Sequence, residues 1–573
     1  MAPSGCSAVQ CETQLVCLAH LEEQDWQQLL SSLAPGSDLD ARGVIFDDNV
    51  WEELAIRFTD SDTGALKFGV VLLDQARLPG DVRFDNAQFV GNASFDSTHF
   101  SGDASFTEVR FDGDALFLGS RFAGNARFDG TRFAGEAEFV GTEVAGSATF
   151  KGADFVGTAG FDCLDFNEAS FAHAHFGAVA TFRGAHFSLG VNFAGARFDG
   201  DMWFTFVCDA GVSLDGVKVG PPVRIQIASQ TLSLTNARFD SAVALWLRYA
   251  EVELRDINLA ESLTVVSVPR VFNYERLVNL SEDGLSGDSR AWIASLEGVD
   301  ASRLILSDVD LSRCLFDGAY NLDQIRFEGR CTFAQTPRGW KTGRALPPIR
   351  RWTSRKCLTE EHQWRAHPEA NNSVARAGWN GDPDLPQSPA TAVATLAVIY
   401  RQLRKALEDG KDEPGAADFY YGEMEFRRHD PQTPRGERAL LFGYWLLSGY
   451  ALRATRALGF LLVAMTVTLL LTMAWGLPDK TPVQQLTGTM PAPGAEAQFA
   501  VNTPDAQLTL PFRERFSSSR ADQASLVVVN SVVFRSSGQN LTTPGTWIEM
   551  ASRISEPVLL GFAAVAARGR VKR

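Results

Sequence analysis

The chain has 573 residues, with 53 Lys and Arg against 69 Asp and Glu and a formal net charge of −16, which is too long for one small domain and too acidic for a general nucleic-acid binder. Eight Cys without a paired framework speak against a disulfide-stapled secreted domain. The first 30 residues have no basic n-region and no apolar h-region, so the expectation is a body that stays in the cytoplasm.

Residues 1–20 form a leader in which Cys6, Cys11, Cys17 and His20 supply four soft ligands, the donor set of a tetrahedral structural zinc. Their spacing is not a standard finger spacing. Residues 21–78 read as an N-terminal cap. Glu22–Leu33 has amphipathic spacing and stops at Pro35-Gly36, and a second helix is expected over Asn49–Thr59.

From Phe84 an aromatic recurs at 89, 95, 100, 106, 111, 117, 122, 128, 133 and 139, in steps that alternate between five and six. Small residues such as Ala93, Ala104, Ala115 and Ala126 lie two before alternate Phe residues, and Gly91, Gly102, Gly113 and Gly124 recur every eleven. An α-helix fails this pattern, because steps of five and six place successive Phe side chains about 140° apart. A β-solenoid satisfies it: the small residue and the Phe both point inward across a short strand, and the Gly is expected to supply the turn or bulge that admits a sixth residue. Stacked coils then bury a continuous aromatic column.

Segments such as Ala126-Arg127-Phe128-Asp129-Gly130 and Ala196-Arg197-Phe198-Asp199-Gly200 resemble the pentapeptide-repeat family, with its A(D/N)LXX motif and Phe variant. The resemblance implies a mainly β fold, a right-handed quadrilateral β-helix, here over residues 79–335. With four faces per coil, Phe84 to Phe204 makes about 5.5 coils of roughly 4.8 Å each. Three consecutive steps of five at Phe166, Phe171 and Phe176 interrupt the alternation, the ladder weakens beyond Phe204, and residues 265–295 lack its phase. The leader also resembles the Cys-rich start of actinobacterial members of this family, through Cys17-Leu18-Ala19-His20.

His99, His175 and His186 each precede a Phe. Counting faces places His175 opposite His99 and His186, with the latter two four coils apart, so they share no metal and read as a solvated surface. Cys163 and Cys208 read as small buried side chains. Gly339-Trp340-Lys341-Thr342 lacks the Gly before Lys of a phosphate loop, and no nucleophile-elbow, zincin or dinucleotide motif occurs, so no enzymatic activity is expected.

Residues 336–387 read as a linker and 388–430 as a helical hairpin opened by Ser388-Pro389. Tyr400-Arg-Gln-Leu-Arg-Lys-Ala-Leu-Glu-Asp and Ala417-Asp-Phe-Tyr-Tyr-Gly-Glu-Met-Glu resemble a juxtamembrane hairpin of bacterial proteins that join such repeats to a channel-like tail. The remainder, 435–573, is a membrane region. It contains an interfacial helix over 439–452, an uncharged transmembrane helix over 457–477, an extracytoplasmic segment over 478–523, a short pore-helix-like stretch over 524–534 and a second membrane helix over 548–567. Basic clusters at Arg435, Arg438, Arg453 and Arg456 and at Arg568, Arg570, Lys572 and Arg573 put both ends inside.

This order resembles a two-helix potassium-channel pore domain. Arg535-Ser-Ser-Gly-Gln-Asn540, however, stands where a T-V-G-Y-G-type filter belongs. Glu549, Arg553 and Glu556 are spaced to pair with one another in the last helix. The expectation is a multi-pass cell-membrane protein with cytoplasmic body and C-terminus, acting as a scaffold for protein partners. It contacts the bilayer, binds no nucleic acid directly, self-associates through the membrane region and carries structural zinc. A channel-like subunit and a DNA-mimicking topoisomerase binder, the latter known among pentapeptide-repeat proteins, are the alternatives.

Overall fold

The computed structural model describes residues 21–274, 278–279, 281–342, 349–352, 354–366, 393–480, 483–488, 499–502, 505–533 and 535–571, with Leu18, Trp379 and Gly494. The chain divides into two compact units, Met1–Ala416 and Ala417–Arg573.

The first unit is a β-solenoid of about 12 turns. Strands are mostly two residues long and parallel: Arg110–Phe111 lies between Gln88–Phe89 and Arg132–Phe133, so each residue stacks on its equivalent one coil away. One face is a ten-stranded sheet running from Lys67–Phe68 to Asn258–Leu259, and a 26-stranded sheet wraps the others. Such short strands hold because most inward Phe residues stack on their equivalents one coil away. Phe84 and Phe106 lie 4.8 Å apart with rings 11° from parallel, and Phe106–Phe128 and Phe128–Phe150 follow at 4.8 and 4.9 Å, each 4° from parallel. Two further columns, through Phe89 and Phe95, stack in the same way, and a fourth runs from Phe100 and Phe122 through Val144 to Phe166 and Phe187, which meet edge-on.

Changes in coil length explain the irregular phase. The three steps of five remove one residue where the register shifts between Val144 and Ser147 against the neighbouring strand Asp165–Ser170, so Phe150 stacks on Phe171. Later coils shorten to twenty residues, with Lys218 on Arg238 and Arg238 on Asn258, and the ladder continues in Val219, Phe239 and Leu259. The ladder also reaches nearer the N-terminus than the Phe spacing indicates: Leu39–Asp40 already pairs with Val71–Leu72.

The eleven-spaced glycines lie at bends in the six-residue steps, as expected, but without positive φ. Positive φ falls instead at the second residue after a Phe, in Gly119 and Gly130 and also in Asn86, Ser97 and Glu108. Gly102 and Gly124 sit where the backbone of the preceding coil passes closest: a Cβ on Gly102 would lie 2.5 Å from Gly80 O, and one on Gly124 would lie 2.7 Å from Gly102 C. The carboxylates beside them tie the corners, with Asp103 N donating to Asp81 and Asn125 N to Asp103 at 2.9 and 2.8 Å.

Both open ends are covered. Helix α1 is Glu23–Ser32 and α2 is Asp48–Phe58, capped by Asp47. Trp51 and Phe58 of α2 close the aromatic columns at Phe84 (5.3 Å) and Phe68 (4.5 Å). At the other end Thr332–Gln335 pairs antiparallel with Lys356–Cys357, and α3 (Thr359–Ala366) follows, so part of the expected linker is ordered. Glu360 accepts the backbone N–H groups of Phe316 and Asp317, and burial pushes its carboxyl up to about 7. Burial also opposes the charge of Glu361, yet the guanidiniums of Arg355 and Arg365 prevail and hold it at about 2. Helix α4, Val393–Asp409, packs on this end, its buried Tyr400 donating to Glu361. The expected start at Ser388-Pro389 lies outside the described residues.

The described residues between the strands Leu263–Ser267 and Trp292–Ser295 leave the solenoid and fold back on it. Phe272 and Leu285 cover the outward Val207 and Ala228, and Glu282 meets buried Arg248 at 2.7 Å.

Helix α5 (Glu413–His429) crosses the division between the units. The second unit continues with α6 (Arg435–Ser448), α7 (Ala454–Leu471, extended by a π-turn over Thr472–Gly476), α8 (Ser518–Val532) and α9 (Thr543–Val571). Two stretches are long and apolar enough to cross a membrane: Ala454–Gly476, with mean hydropathy 2.3, and Thr543–Arg568, with 1.3. Helix α8 begins six residues before the expected Ala524, and α9 begins five before Ile548 because Thr542 Oγ1 accepts the N–H of Gly545.

Candidate functional site

Side chains alternate along each short strand, so the residue before an inward Phe faces out, and in-register stacking lines these residues into rows. On the ten-stranded face one row includes Arg110, Arg132, Asp154, His175, Arg197 and Lys218. A continuous chain of charge runs through it. Arg132 pairs with Asp154, His175 joins Asp154 through Nδ1 at 2.8 Å and Asp199 through Nε2 at 3.0 Å, and Arg197 holds Asp199 at 2.8 Å. The hydrogen bonds to Asp154 and Asp199 raise the pKa of His175.

The opposite row runs His99, Arg121, Glu143, Asp165, His186. The two histidines are therefore four coils apart and across the solenoid from His175. Burial works against a charge on His186, but Asp165 at 3.0 Å and Asp209 at 3.1 Å carry its pKa upward. Burial and the cations Arg77 and Arg121 push that of His99 down. Both rows mix cations and carboxylates rather than presenting one sign. Cys208 is fully buried, and burial pushes its thiol up to about 11, away from nucleophilic use.

Cys6, Cys11, Cys17 and His20 lie outside the described residues. Among the described residues, no group of three or more His, Cys, Asp and Glu side chains is placed to hold a metal ion.

In the helical unit the polar groups converge on two points. Arg520, in the first turn of α8, donates to the carbonyls of Met473 (3.1 Å), Leu477 (2.8 Å) and Pro478 (3.1 Å), which are the open C-terminal acceptors of α7 and its π-turn. At the other end of α8, Glu556 of α9 is fully buried and accepts from Thr468 of α7 at 2.8 Å and from Ser531 of α8. Glu549 accepts the N–H of Ser537 at 2.7 Å. The two carboxylates are thus tied to groups outside α9, namely the hydroxyls of α7 and α8 and the N–H of Ser537. The chain then returns to α7, where Thr542 N donates to Gly476 O at 2.9 Å and a Cβ on Gly545 would lie 2.4 Å from Gly476 O. A helix of about 22 Å therefore descends between two long ones, and an irregular segment brings the chain back to the level at which it entered.

A family profile described as "Pentapeptide repeats (9 copies)" matches residues 73–121. No curated protein and no solved structure matches the chain.

Proposed function

We propose that this chain, a pentapeptide-repeat protein whose solenoid is joined to apolar helices, is a membrane-tethered scaffold that presents the solenoid to protein partners in the cytoplasm. The observation that carries the reading is the pair of long helices α7 and α9, whose outer faces leave Leu462, Val463, Ile554 and Val565 exposed. In water such a surface is a liability; in lipid it is the normal exterior of a helix pair. Trp475, Phe512 and Phe516, exposed where α7 ends, supply the aromatic anchors of a membrane boundary. The mixed charge rows of the solenoid supply recognition groups on a rigid rod. Fold and rows give no support to catalysis.

The test is labelling in intact cells. A cysteine at Ser518 should react with an impermeant thiol reagent added outside, and one at Ser373 should not. Protection of Ser518 would overturn the topology. Cross-linking in native membranes should then recover protein partners through the solenoid.

A second reading, a channel-like subunit, is favoured by the half-length α8 between α7 and α9, the arrangement of a pore helix. Against it stands the Arg535 to Asn540 segment, which lacks the repeated Gly and Tyr carbonyl ladder of a cation filter. The mixed sign of the rows argues against a topoisomerase-binding DNA mimic, for which a gyrase pull-down is the check.

A further inference from the structure

Charge is unevenly divided along the chain: from Arg435 onward there are 14 Lys and Arg against 8 Asp and Glu, which leaves 39 against 61 before it. Much of the basic excess gathers around α6. Two nearby guanidiniums are neutralised within the unit, Arg427 by Glu437 and Arg428 by Glu425, each at 2.6 Å. Arg435, Arg438 and Arg456 have no carboxylate partner among the described residues. Arg438 Nε donates to Arg428 O at 3.3 Å and Arg456 Nη1 to Trp445 O at 2.8 Å, contacts that orient a guanidinium without cancelling its charge. The guanidiniums of Arg428 and Arg456 also lie 4.8 and 5.3 Å from the ring centroid of buried Trp445. Beside these cations, α6 leaves Leu440 76% and Phe442 46% exposed.

Arg435 and Arg438, cations without carboxylates next to exposed Leu440 and Phe442 on one short helix, match a molecule that is itself anionic at one end and apolar at the other. We propose that α6 binds an anionic phospholipid, its phosphate held by Arg435 and Arg438 on the first turn and its acyl chains lying over Leu440 and Phe442. Continuity supports this occupant: Tyr444 of α6 touches Phe562 of α9 at 5.7 Å, so the lipid would extend the apolar surface of the long helices. The inference rests on the membrane reading above and names the lipid that this reading requires. The rival occupant is the acidic body of a second copy of the chain.

The experiment uses the full chain in detergent, titrated with short-chain phosphatidylglycerol or phosphatidylcholine and read by native mass spectrometry. Phosphatidylglycerol should bind at least tenfold more tightly. Each basic residue at an anionic surface is worth roughly fivefold, so R435Q/R438Q should weaken phosphatidylglycerol about 30-fold and leave phosphatidylcholine unchanged. Both arginines are exposed on the first turn of α6, and the double variant should retain its helical circular dichroism. R435K/R438K, which keeps both charges, should bind phosphatidylglycerol within about twofold of the wild type, and R456Q, whose guanidinium lies at Trp445 O instead, should leave it unchanged. Equal binding of the two lipids, or unchanged binding by R435Q/R438Q, would overturn the proposal. Inorganic phosphate that competes as well as the lipid would overturn it in favour of a free anion, and loss of a dimer without change in lipid affinity would assign α6 to a second copy. Ser518 protected in cells would sink the membrane reading itself, whereas Ser518 labelled without lipid preference would sink only this inference.

Discussion

Single residues carry the solenoid in proportion to how many coils they touch. Phe128 is buried between Phe106 and Phe150, whereas Arg127 beside it is exposed and reaches Asp103 only at 3.6 Å. Phe128→Ala should therefore destabilise the solenoid by about 3 to 5 kcal/mol, and Arg127→Ala by no more than about 0.5 kcal/mol. Denaturant midpoints of the two variants decide the register, since equal effects would contradict it. His175 acts across three coils in a different way. Its pKa is raised by Asp154 and Asp199, so the folded state binds the proton more tightly than the unfolded chain does. The stabilisation is then full below the unfolded value of about 6.5 and is lost as pH rises through the folded value. The wild-type thermal midpoint should fall across about pH 6 to 8, and His175→Gln should flatten that slope. A slope unchanged in the variant would show that His175 is not its source.

At the scale of elements, periodic features are legible in the sequence and features that depend on a neighbour are not. The Phe columns announce themselves because every coil repeats the same inward demand. The eleven-spaced glycines are equally periodic, but the reason that only Gly fits there lies in the backbone of the coil before, which a reading of the turn or bulge alone does not supply. Arg520 was hidden for a similar cause: a charge at the edge of an apolar stretch reads as outside, yet this one turns back to close the carbonyls of α7, and α8 starts earlier as a result. Arg520→Gln should cost the helical unit on the order of 3 kcal/mol, because several charge-assisted hydrogen bonds are lost at a buried site, whereas exposed Arg513→Gln should cost little. Protease resistance of the membrane-reconstituted chain is the measurement. The leader invites an element-scale prediction that rests on its donors alone. Purified chain should carry about one zinc, lost in Cys11→Ser, because one missing ligand removes most of the affinity of a small tetrahedral site. Metal analysis under reducing conditions that finds no zinc in the wild type would end the idea.

At the scale of the whole molecule, a rigid repeat and an apolar helical unit follow different physical rules within one chain. The solenoid stores its stability in a continuous column and leaves its surface open to sequence change, which suits recognition. In the helical unit, by contrast, the buried polar groups are fastened between helices: Glu556 joins α7, α8 and α9, and Arg520 joins α8 to the end of α7. A potassium path needs carbonyl oxygens to replace the hydration shell of the ion, and it tolerates no fixed cation on the way. In this chain the segment after α8 contributes Arg535, and the nearby N–H of Ser537 is turned toward Glu549. Purified protein reconstituted into vesicles should therefore show no preference for potassium over sodium in a cation-flux assay. Potassium selectivity would mean that the segment from Arg535 to Asn540 forms a filter by other means, and the solenoid would then have to be understood as the gate of a channel rather than as the body of a scaffold.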